Sequence, residues 1–230
     1  MDIDLVVFDM AGTTINDDDG VNRCVRAALD QVGLEVSRES VNRVMGIPKP
    51  LALRQLLERH HRPSLLPRLN AIHDDFVRRM IRFYQTDPSV HEIAGAAETF
   101  RRLRAAGIKV ALDTGFTRDI VDVVLTRLGW NDGQLVDATV TSDEVARGRP
   151  HADMVEKAMR DLGVEDPKRV AKVGDTPSDL QEGTAAGCGL VIGVTAGSHT
   201  AEQLKPFAHT HLIGTIAELP TLLELRENCI

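Results

Sequence analysis

Three acidic side chains stand at places where a folded chain brings carboxylates together. Asp9 ends the apolar run of residues 5–8, and Asp175 and Asp179 lie in the Gly-Asp-Thr-Pro-Ser-Asp segment of residues 174–179, which follows a later apolar run. Because ligands of open α/β sheets bind beyond the carboxyl ends of the strands, we expect these carboxylates to meet there. Carboxylates repel one another unless a cation lies between them, and hard oxygen ligands select Mg²⁺. The pattern therefore predicts a Mg²⁺ site.

Two further polar residues complete the set that a phosphoryl transfer site requires. Thr114 follows another apolar run, and Arg149 lies in a Gly-Arg-Pro sequence ahead of a predicted helix. Arg149 would supply fixed positive charge, and Thr114 with its neighbouring backbone N–H groups would bind phosphoryl oxygens. An Asp carboxylate is a known type of phosphoryl acceptor, and positioning with charge stabilisation is most of what the transfer needs. We predict that Asp9 attacks phosphorus and forms an aspartyl phosphate, which water hydrolyses.

The elements that position these residues alternate between strand and helix. Strands are predicted by apolar runs at residues 5–9, 108–112, 138–141, 170–173 and 190–192, with a short edge strand at 212–213. Segments with helical periodicity separate them. This alternation implies a Rossmann-like α/β core with a parallel sheet.

One segment breaks the alternation, because it has helical patterns and no strand candidate. The patterns cover residues 21–32, 51–60 and 66–85. Turn-forming residues border the segment at 16–20 and 87–89. We therefore predict a catalytic core of residues 1–16 and 90–230 with an inserted helical cap of residues 17–89, which would close over the substrate.

Composition narrows the class of protein further. Hydrophobic residues make up 43% of the chain and aromatic residues 3%, so the core must consist mainly of aliphatic side chains. The net charge of -7 argues against a nucleic-acid partner. The scattered Cys24, Cys188 and Cys229 suggest neither a disulfide framework nor a zinc cluster, and they fit a reducing cytoplasm. No apolar stretch is long enough for a membrane span.

Together these motifs resemble the haloacid dehalogenase superfamily. Its four motifs match, in chain order, residues 9–14, Thr114, Arg149 and residues 174–179. The resemblance implies a helical cap inserted between the first two motifs. It also adds the carbonyl oxygen of Ala11 to the Mg²⁺ ligands.

The residue at position 11 points to one branch of that superfamily. Most of its phosphatases carry a second Asp there, whereas Asp-x-Ala-Gly-Thr combined with Gly-Arg-Pro resembles the phosphonatases, the phosphonoacetaldehyde hydrolases, over essentially the whole chain. Phosphonatases form a Schiff base through a cap lysine in a Met-Gly-x-x-Lys sequence, and this chain has that sequence at residues 45–49. An ester leaving group needs a general acid, but a carbon leaving group beside a protonated imine departs as an enamine. The resemblance therefore predicts carbon–phosphorus cleavage through an imine on Lys49.

The predicted substrate site extends over both parts of the chain. The residues predicted to contact substrate are Gly12, Thr13, Met45, Gly46, Arg54, Gly115 and Phe116. Burial against Met45 or proximity to Arg54 would favour the neutral Lys49 amine that attacks an aldehyde. Phosphonatases dimerise through the cap, which implies a homodimer here.

Two departures from the phosphonatase pattern leave the substrate open. Ala52 and Phe116 stand where phosphonatases have His and Tyr. The predicted substrate is phosphonoacetaldehyde or another small phosphonate. The alternatives are a small-molecule phosphomonoesterase similar to phosphoglycolate phosphatases, and a noncatalytic phosphoryl acceptor similar to a receiver domain. The helical cap argues against the receiver, which must present its site to a partner protein.

Overall fold

The computed structural model describes residues 2–16 and 18–225. Residues 1, 17 and 226–230 lie outside the described part, and with them Cys229 and the first predicted cap residue. The strands are β1 (Leu5–Asp9), β2 (Ile15–Asn16), β3 (His91–Glu92), β4 (Lys109–Thr114), β5 (Ala138–Thr141), β6 (Val170–Gly174), β7 (Leu190–Val194) and β8 (His211–Ile213).

Six of these strands form one parallel sheet in the order β5-β4-β1-β6-β7-β8. Both faces of the sheet are buried, which is why its strands read as continuous apolar runs. On β1, Val6 and Phe8 belong to one hydrophobic core, and Leu5 and Val7 belong to the other. The predicted α/β class and the predicted strands are confirmed. Because β1 lies between β4 and β6, Asp9 emerges where the strand order changes direction.

The α-helices of the described residues surround the sheet and form the insertion. They are α1 (Gly20–Asp30), α2 (Arg38–Asn42), α3 (Lys49–Arg59), α4 (Leu69–Thr86), α5 (Ala96–Ala105), α6 (Arg118–Leu128), α7 (Asp153–Leu162), α8 (Pro177–Ala185), α9 (Ala201–Leu204) and α10 (Leu219–Leu222). None of the helices in the described ranges is both long and apolar enough to cross a membrane.

Helices α1 to α4 lie between β2 and β3, in the segment predicted as a cap. β2 and β3 pair antiparallel, with Ile15 opposite Glu92, so the chain leaves and re-enters the core through one short ribbon. At the end of α4, Arg127 of α6 donates hydrogen bonds to the carbonyl oxygens of Gln85 (3.1 Å) and Asp87 (3.3 Å). The inserted segment is therefore joined to the core at the ribbon and at α6.

Candidate active site

The predicted nucleophile lies at the carboxyl end of the central strand. Asp9 is opposite Asp113 of β4 in the sheet register, and it is only 5% exposed. Nη1 of Arg149 donates to its Oδ1 at 2.6 Å. Burial raises the pKa of Asp9 to about 7; Arg149 opposes this shift, and Asp179 and Asp175 add to it. The Asp9 side chain is thus held beside the Arg149 guanidinium at the carboxyl end of β1.

Asp9, Asp175 and Asp179 fit a divalent cation. One oxygen of each carboxylate lies within 4.8 Å of the others, and all three side chains are buried. Burial and the charge of Asp179 raise the pKa of Asp175 to about 6. A cation between the oxygens would relieve the repulsion that raises these pKa values, and an all-oxygen donor set suits Mg²⁺.

Neighbouring loops hold Asp175 in place. Its Oδ1 accepts a hydrogen bond from the Thr13 hydroxyl at 3.2 Å, and its Oδ2 accepts one from the backbone N–H of Ser198 at 2.5 Å. Gly12 has a φ of 92°, and a Cβ atom there would lie 2.4 Å from Asp175 Oδ2. A Cβ at Gly197 would lie 2.3 Å from the same oxygen. Thr13 therefore fixes a carboxylate instead of lining the cavity, and the loop of Gly197 and Ser198 is a part of the site that the sequence did not reveal.

Arg149 is the centre of a buried ion-pair network that was also missed. Its Nε donates to Glu182 at 2.9 Å, and its Nη2 binds the Asp113 carboxylate. Lys172 binds the same Asp113 carboxylate and lies 3.0 Å from Glu182. Burial favours the neutral form of Asp113, but Arg149 and Lys172 hold its pKa below the usual range. Charged residues inside the apolar runs of β4 and β6 were the available signal.

The predicted substrate residues mostly converge on one cavity of about 220 Å³. Ten predicted site residues line it: Asp9, Ala11, Gly12, Met45, Gly46, Lys49, Thr114, Gly115, Phe116 and Arg149. Asp175 and Asp179 are fully buried beside Asp9.

The structure contradicts the predicted place of Arg54. Its side chain is exposed on α3 and is not part of the cavity lining. Each helical residue turns the chain by about 100°, so Arg54 points roughly 140° away from Lys49, five residues earlier. Arg54 therefore cannot assist Lys49 as predicted.

Lys49 lies at the first position of α3. It is 5% exposed. Its Nζ donates to the Ile47 carbonyl at 3.4 Å and lies 5.6 Å from the centre of the Phe116 ring.

The loop of residues 46–48, which leads into Lys49, packs closely against three loops of the core. Each of these contacts is close because one of the two partners is a glycine. A Cβ atom at Gly46 would lie 2.3 Å from Thr176 Oγ1, and one at Gly115 would lie 2.8 Å from the Ile47 carbonyl oxygen. A Cβ atom at Gly148 would lie 2.4 Å from Pro48 Cγ. These glycines therefore allow the segment before Lys49 to lie directly against the core.

The arrangement has the parts of a phosphoryl acceptor with a separate amine. Asp9 has a guanidinium at hydrogen-bond distance, and Thr114 lines the same space. No carboxylate stands at position 11, where an acid acting on a leaving oxygen is expected in most phosphatases of the resembled superfamily. Lys49 is the buried amine of this cavity.

Several known proteins are similar to this chain in sequence or in fold. A profile of haloacid dehalogenase-like hydrolases matches residues 6–193. A phosphonoacetaldehyde hydrolase of Bacteroides fragilis is 32% identical over 236 residues, which cover 94% of this chain and 87% of that protein. A phosphonoacetaldehyde hydrolase-like protein from Oleispira antarctica has a TM-score of 0.85 at 23% identity, covering 96% of this chain and 91% of its own. CbbY from Rhodobacter sphaeroides in complex with phosphate has a TM-score of 0.80 at 22% identity, covering 94% and 96%. The predicted resemblance is confirmed.

Proposed function

Since this chain belongs to the haloacid dehalogenase-like hydrolases and is phosphonatase-like among them, we propose that it cleaves the carbon–phosphorus bond of a small phosphonate with Mg²⁺ as its cofactor. One observation carries the proposal: Lys49 and Asp9 line the same cavity, in which position 11 has no acid. The relative from Bacteroides fragilis, named for the hydrolysis of phosphonoacetaldehyde, supports this reaction.

Asp9, Asp175, Asp179 and the carbonyl oxygen of Ala11 would hold the Mg²⁺ ion. When bound, the ion supplies positive charge that offsets the negative charges of the nucleophile and of the phosphonate. Thr13 and Ser198 keep Asp175 oriented for this role through the hydrogen bonds described above.

Lys49 begins the chemistry by attacking the substrate carbonyl, which loses water and leaves a protonated imine. A carboxylate oxygen of Asp9 then attacks phosphorus in line with the carbon–phosphorus bond. As that bond breaks, its electron pair moves into the imine and forms an enamine, so no acid is needed at Ala11. Arg149 and Thr114 stabilise the charge of the transferring group, and Gly12 lets the nucleophile loop approach Asp175 closely.

Two hydrolytic steps restore the protein. Water attacks the aspartyl phosphate on Asp9 and releases inorganic phosphate. The enamine takes up a proton on carbon, and hydrolysis of the resulting imine frees Lys49 and the carbonyl product. The substrate accepts one molecule of water in total, and nothing is oxidised or reduced.

The cap segment of residues 17–89 would open to admit substrate and close to bring Lys49 beside it. The β2–β3 ribbon supplies two neighbouring crossings at which such a motion would occur. Met45 and Gly46 would enclose the substrate together with Gly115 and Phe116 of the core. A homodimer formed through the cap segment is a further proposal, and it rests on the resemblance to phosphonatases.

A second candidate is a small-molecule phosphomonoesterase of the same fold. Asp18 and Asp19 line the same cavity, and one of them in its protonated form would act as the general acid that is missing at position 11. This candidate keeps the nucleophile and the cation but needs no imine on Lys49.

Trapping the imine separates the two candidates. Phosphonoacetaldehyde and a simple phosphate ester are each supplied with Mg²⁺, phosphate release is measured, and borohydride is added during turnover. Carbon–phosphorus cleavage predicts inactivation that requires the phosphonate, adds the carbon skeleton to the peptide containing Lys49, and is absent from Lys49→Ala. Arg54→Ala, an exposed change on the same helix, is the matched control and should behave as the unaltered protein. Ester turnover without trapping, preserved in Lys49→Ala, would establish the phosphomonoesterase instead.

A further inference from the structure

Part of the cavity lining has no role in the proposed cleavage of the carbon–phosphorus bond. It consists of polar residues from the end of β2 and from α1, α2 and the residues before α1, which we name the cap-side wall: Asn16, Asp18, Asp19, Asn22, Arg38 and Asn42. A two-carbon phosphonate aldehyde has a carbonyl and a phosphonate group, and these are already matched by Lys49, Arg149 and Thr114. The wall therefore has polar capacity for another group of the substrate.

Hydrogen bonds fix the orientation of two of the three amides in the wall, those of Asn22 and Asn16. Nδ2 of Asn22 donates to the carbonyl oxygen of Arg38 at 3.0 Å and to Oδ1 of Asn42 at 2.7 Å. Nδ2 of Asn16 donates to the Ser89 carbonyl oxygen at 3.1 Å. Because a backbone carbonyl oxygen only accepts hydrogen bonds, each amide must direct its nitrogen toward it.

The atoms that the wall leaves for a ligand are mainly acceptors. Asn22 is completely buried, and its Oδ1 has no hydrogen-bond partner in the described part of the chain. Asn16 also has its amide nitrogen engaged, so its oxygen is the atom it can offer. Asp18 and Asp19 contribute carboxylate oxygens. The guanidinium of Arg38 forms an ion pair with Asp19, with 2.8 Å between Nε and Oδ2. Buried polar atoms are nearly always satisfied, so the Asn22 oxygen calls for a donor.

We propose that the cap-side wall recognises a hydrogen-bond donor, a hydroxyl or amino group, on the carbon next to the substrate carbonyl and away from phosphorus. The inference rests on the proposed function, and it defines the substrate class as 2-oxoalkylphosphonates with a hydroxyl or amino group at C3. For the hydroxyl member, 3-hydroxy-2-oxopropylphosphonate and water give hydroxyacetone and inorganic phosphate. The carbon–phosphorus bond breaks, a phosphorus–oxygen bond forms, C1 takes up a proton and becomes a methyl group, and the C3 hydroxyl is unchanged.

A matched pair of phosphonates tests the wall. 3-Hydroxy-2-oxopropylphosphonate and 2-oxobutylphosphonate differ by a hydroxyl in place of a methyl group, so their difference in binding reports the donor. Affinities are measured by calorimetry with Mg²⁺ in Asp9→Asn, which cannot transfer the phosphoryl group, and kcat/KM for phosphate release is measured in the unaltered protein. We expect the hydroxyl compound to be preferred by at least about tenfold, the value of one buried hydrogen bond. 3-Amino-2-oxopropylphosphonate then distinguishes an amino from a hydroxyl preference.

Changes at Asn22 connect the preference to the wall. Asn22→Leu removes the acceptor, and its preference should fall to about onefold. Its affinity for 2-oxobutylphosphonate, which has no donor at this position, should stay that of Asp9→Asn alone, and this guards against a folding defect in the Leu variant. Equal affinity of the unaltered wall for both phosphonates would overturn the inference and leave carbon–phosphorus cleavage standing. A retained binding preference without phosphate release from either compound would overturn carbon–phosphorus cleavage and leave the wall standing.

Discussion

At the scale of single residues, the proposed function makes Ala11 the position that decides which leaving group the site can release. It lines the cavity two residues after the proposed nucleophile, and an acid there would serve a leaving oxygen. We expect Ala11→Asp to raise phosphate ester hydrolysis by about 10²-fold, the lower end of general acid–base catalysis. Ala11→Asn, which has a similar shape and no titratable proton, is the control. Steady-state phosphate release from one ester in both variants checks this, and equal rates would contradict the role assigned to position 11.

Lys172 tests the buried network that holds Arg149. Its side chain is fully buried and contacts Asp113 and Glu182, so Lys172→Met would remove one of the two cations that hold Asp113 ionised. Removing one partner of a buried ion pair costs about 3–5 kcal/mol, and we expect the free energy of unfolding in urea to fall by that amount. Lys157→Met breaks a partly exposed pair with Asp161 and should cost less than about 1 kcal/mol. Similar losses in the two variants would rule out a supporting role for the network.

The sequence was sufficient to identify the site residues at the ends of strands, but not the buried charged residues that hold them in place. Asp9, Thr114 and Asp175 follow apolar runs, and this pattern is visible without knowing which strands are neighbours. Asp113 and Lys172 are equally visible as charges within such runs, yet their meaning depends on the pairing of β1 with β4 and β6. Arg54 was misplaced because closeness in sequence was taken for closeness in space, although a helix separates residues five apart.

At the scale of elements, the length of a segment decided whether it was predicted. The six strands of the main sheet and the long helices α1, α3 and α4 have enough apolar residues to show a period. Helix α2 has five residues, and β2 and β3 have two each, too few for any period to appear. The packing of residues 46–48 against the core could not be predicted from the sequence either. Each contact joins a glycine, Gly46, Gly115 or Gly148, to a residue that is distant in sequence.

That packing gives a prediction for loop docking. A Cβ atom at Gly148 would lie 2.4 Å from Pro48 Cγ, one residue before Lys49, so Gly148→Ala should push the loop of Lys49 outward. Misplacement of about 1 Å costs up to about 10²-fold in rate, and we expect kcat/KM to fall by 10- to 100-fold with little change in urea unfolding. Gly214→Ala is the control, because its Cβ would meet the end of the flexible Glu218 side chain, which can move aside. Unchanged kinetics in Gly148→Ala would show that loop docking is dispensable.

At the scale of the whole molecule, the buried carboxylates link stability to pH and to Mg²⁺. The pKa values of Asp175, Asp9 and Glu182 are raised to about 6, 7 and 8, mainly by burial. In the unfolded chain these groups ionise near pH 4, so between about pH 4 and 8 these three groups bind more protons in the folded protein than in the unfolded chain. Their contribution to the free energy of unfolding of the metal-free protein therefore falls as pH rises through that window.

Under the proposed function Mg²⁺ would reverse this loss, because it would compete with protons for Asp9 and Asp175. Each proton that binding releases strengthens the Mg²⁺-linked stabilisation by at most about 1.4 kcal/mol per pH unit. Burial lowers the pKa values of His73 and His199, which makes the folded state more stable as pH rises toward 6.5. These histidine effects occur with and without the ion, so they largely cancel in the difference between melting temperatures in Mg²⁺ and in EDTA. We expect that difference to increase from pH 6 to pH 8 at constant ionic strength and to disappear in Asp175→Asn. A difference that is independent of pH would mean that the ion does not bind at these carboxylates.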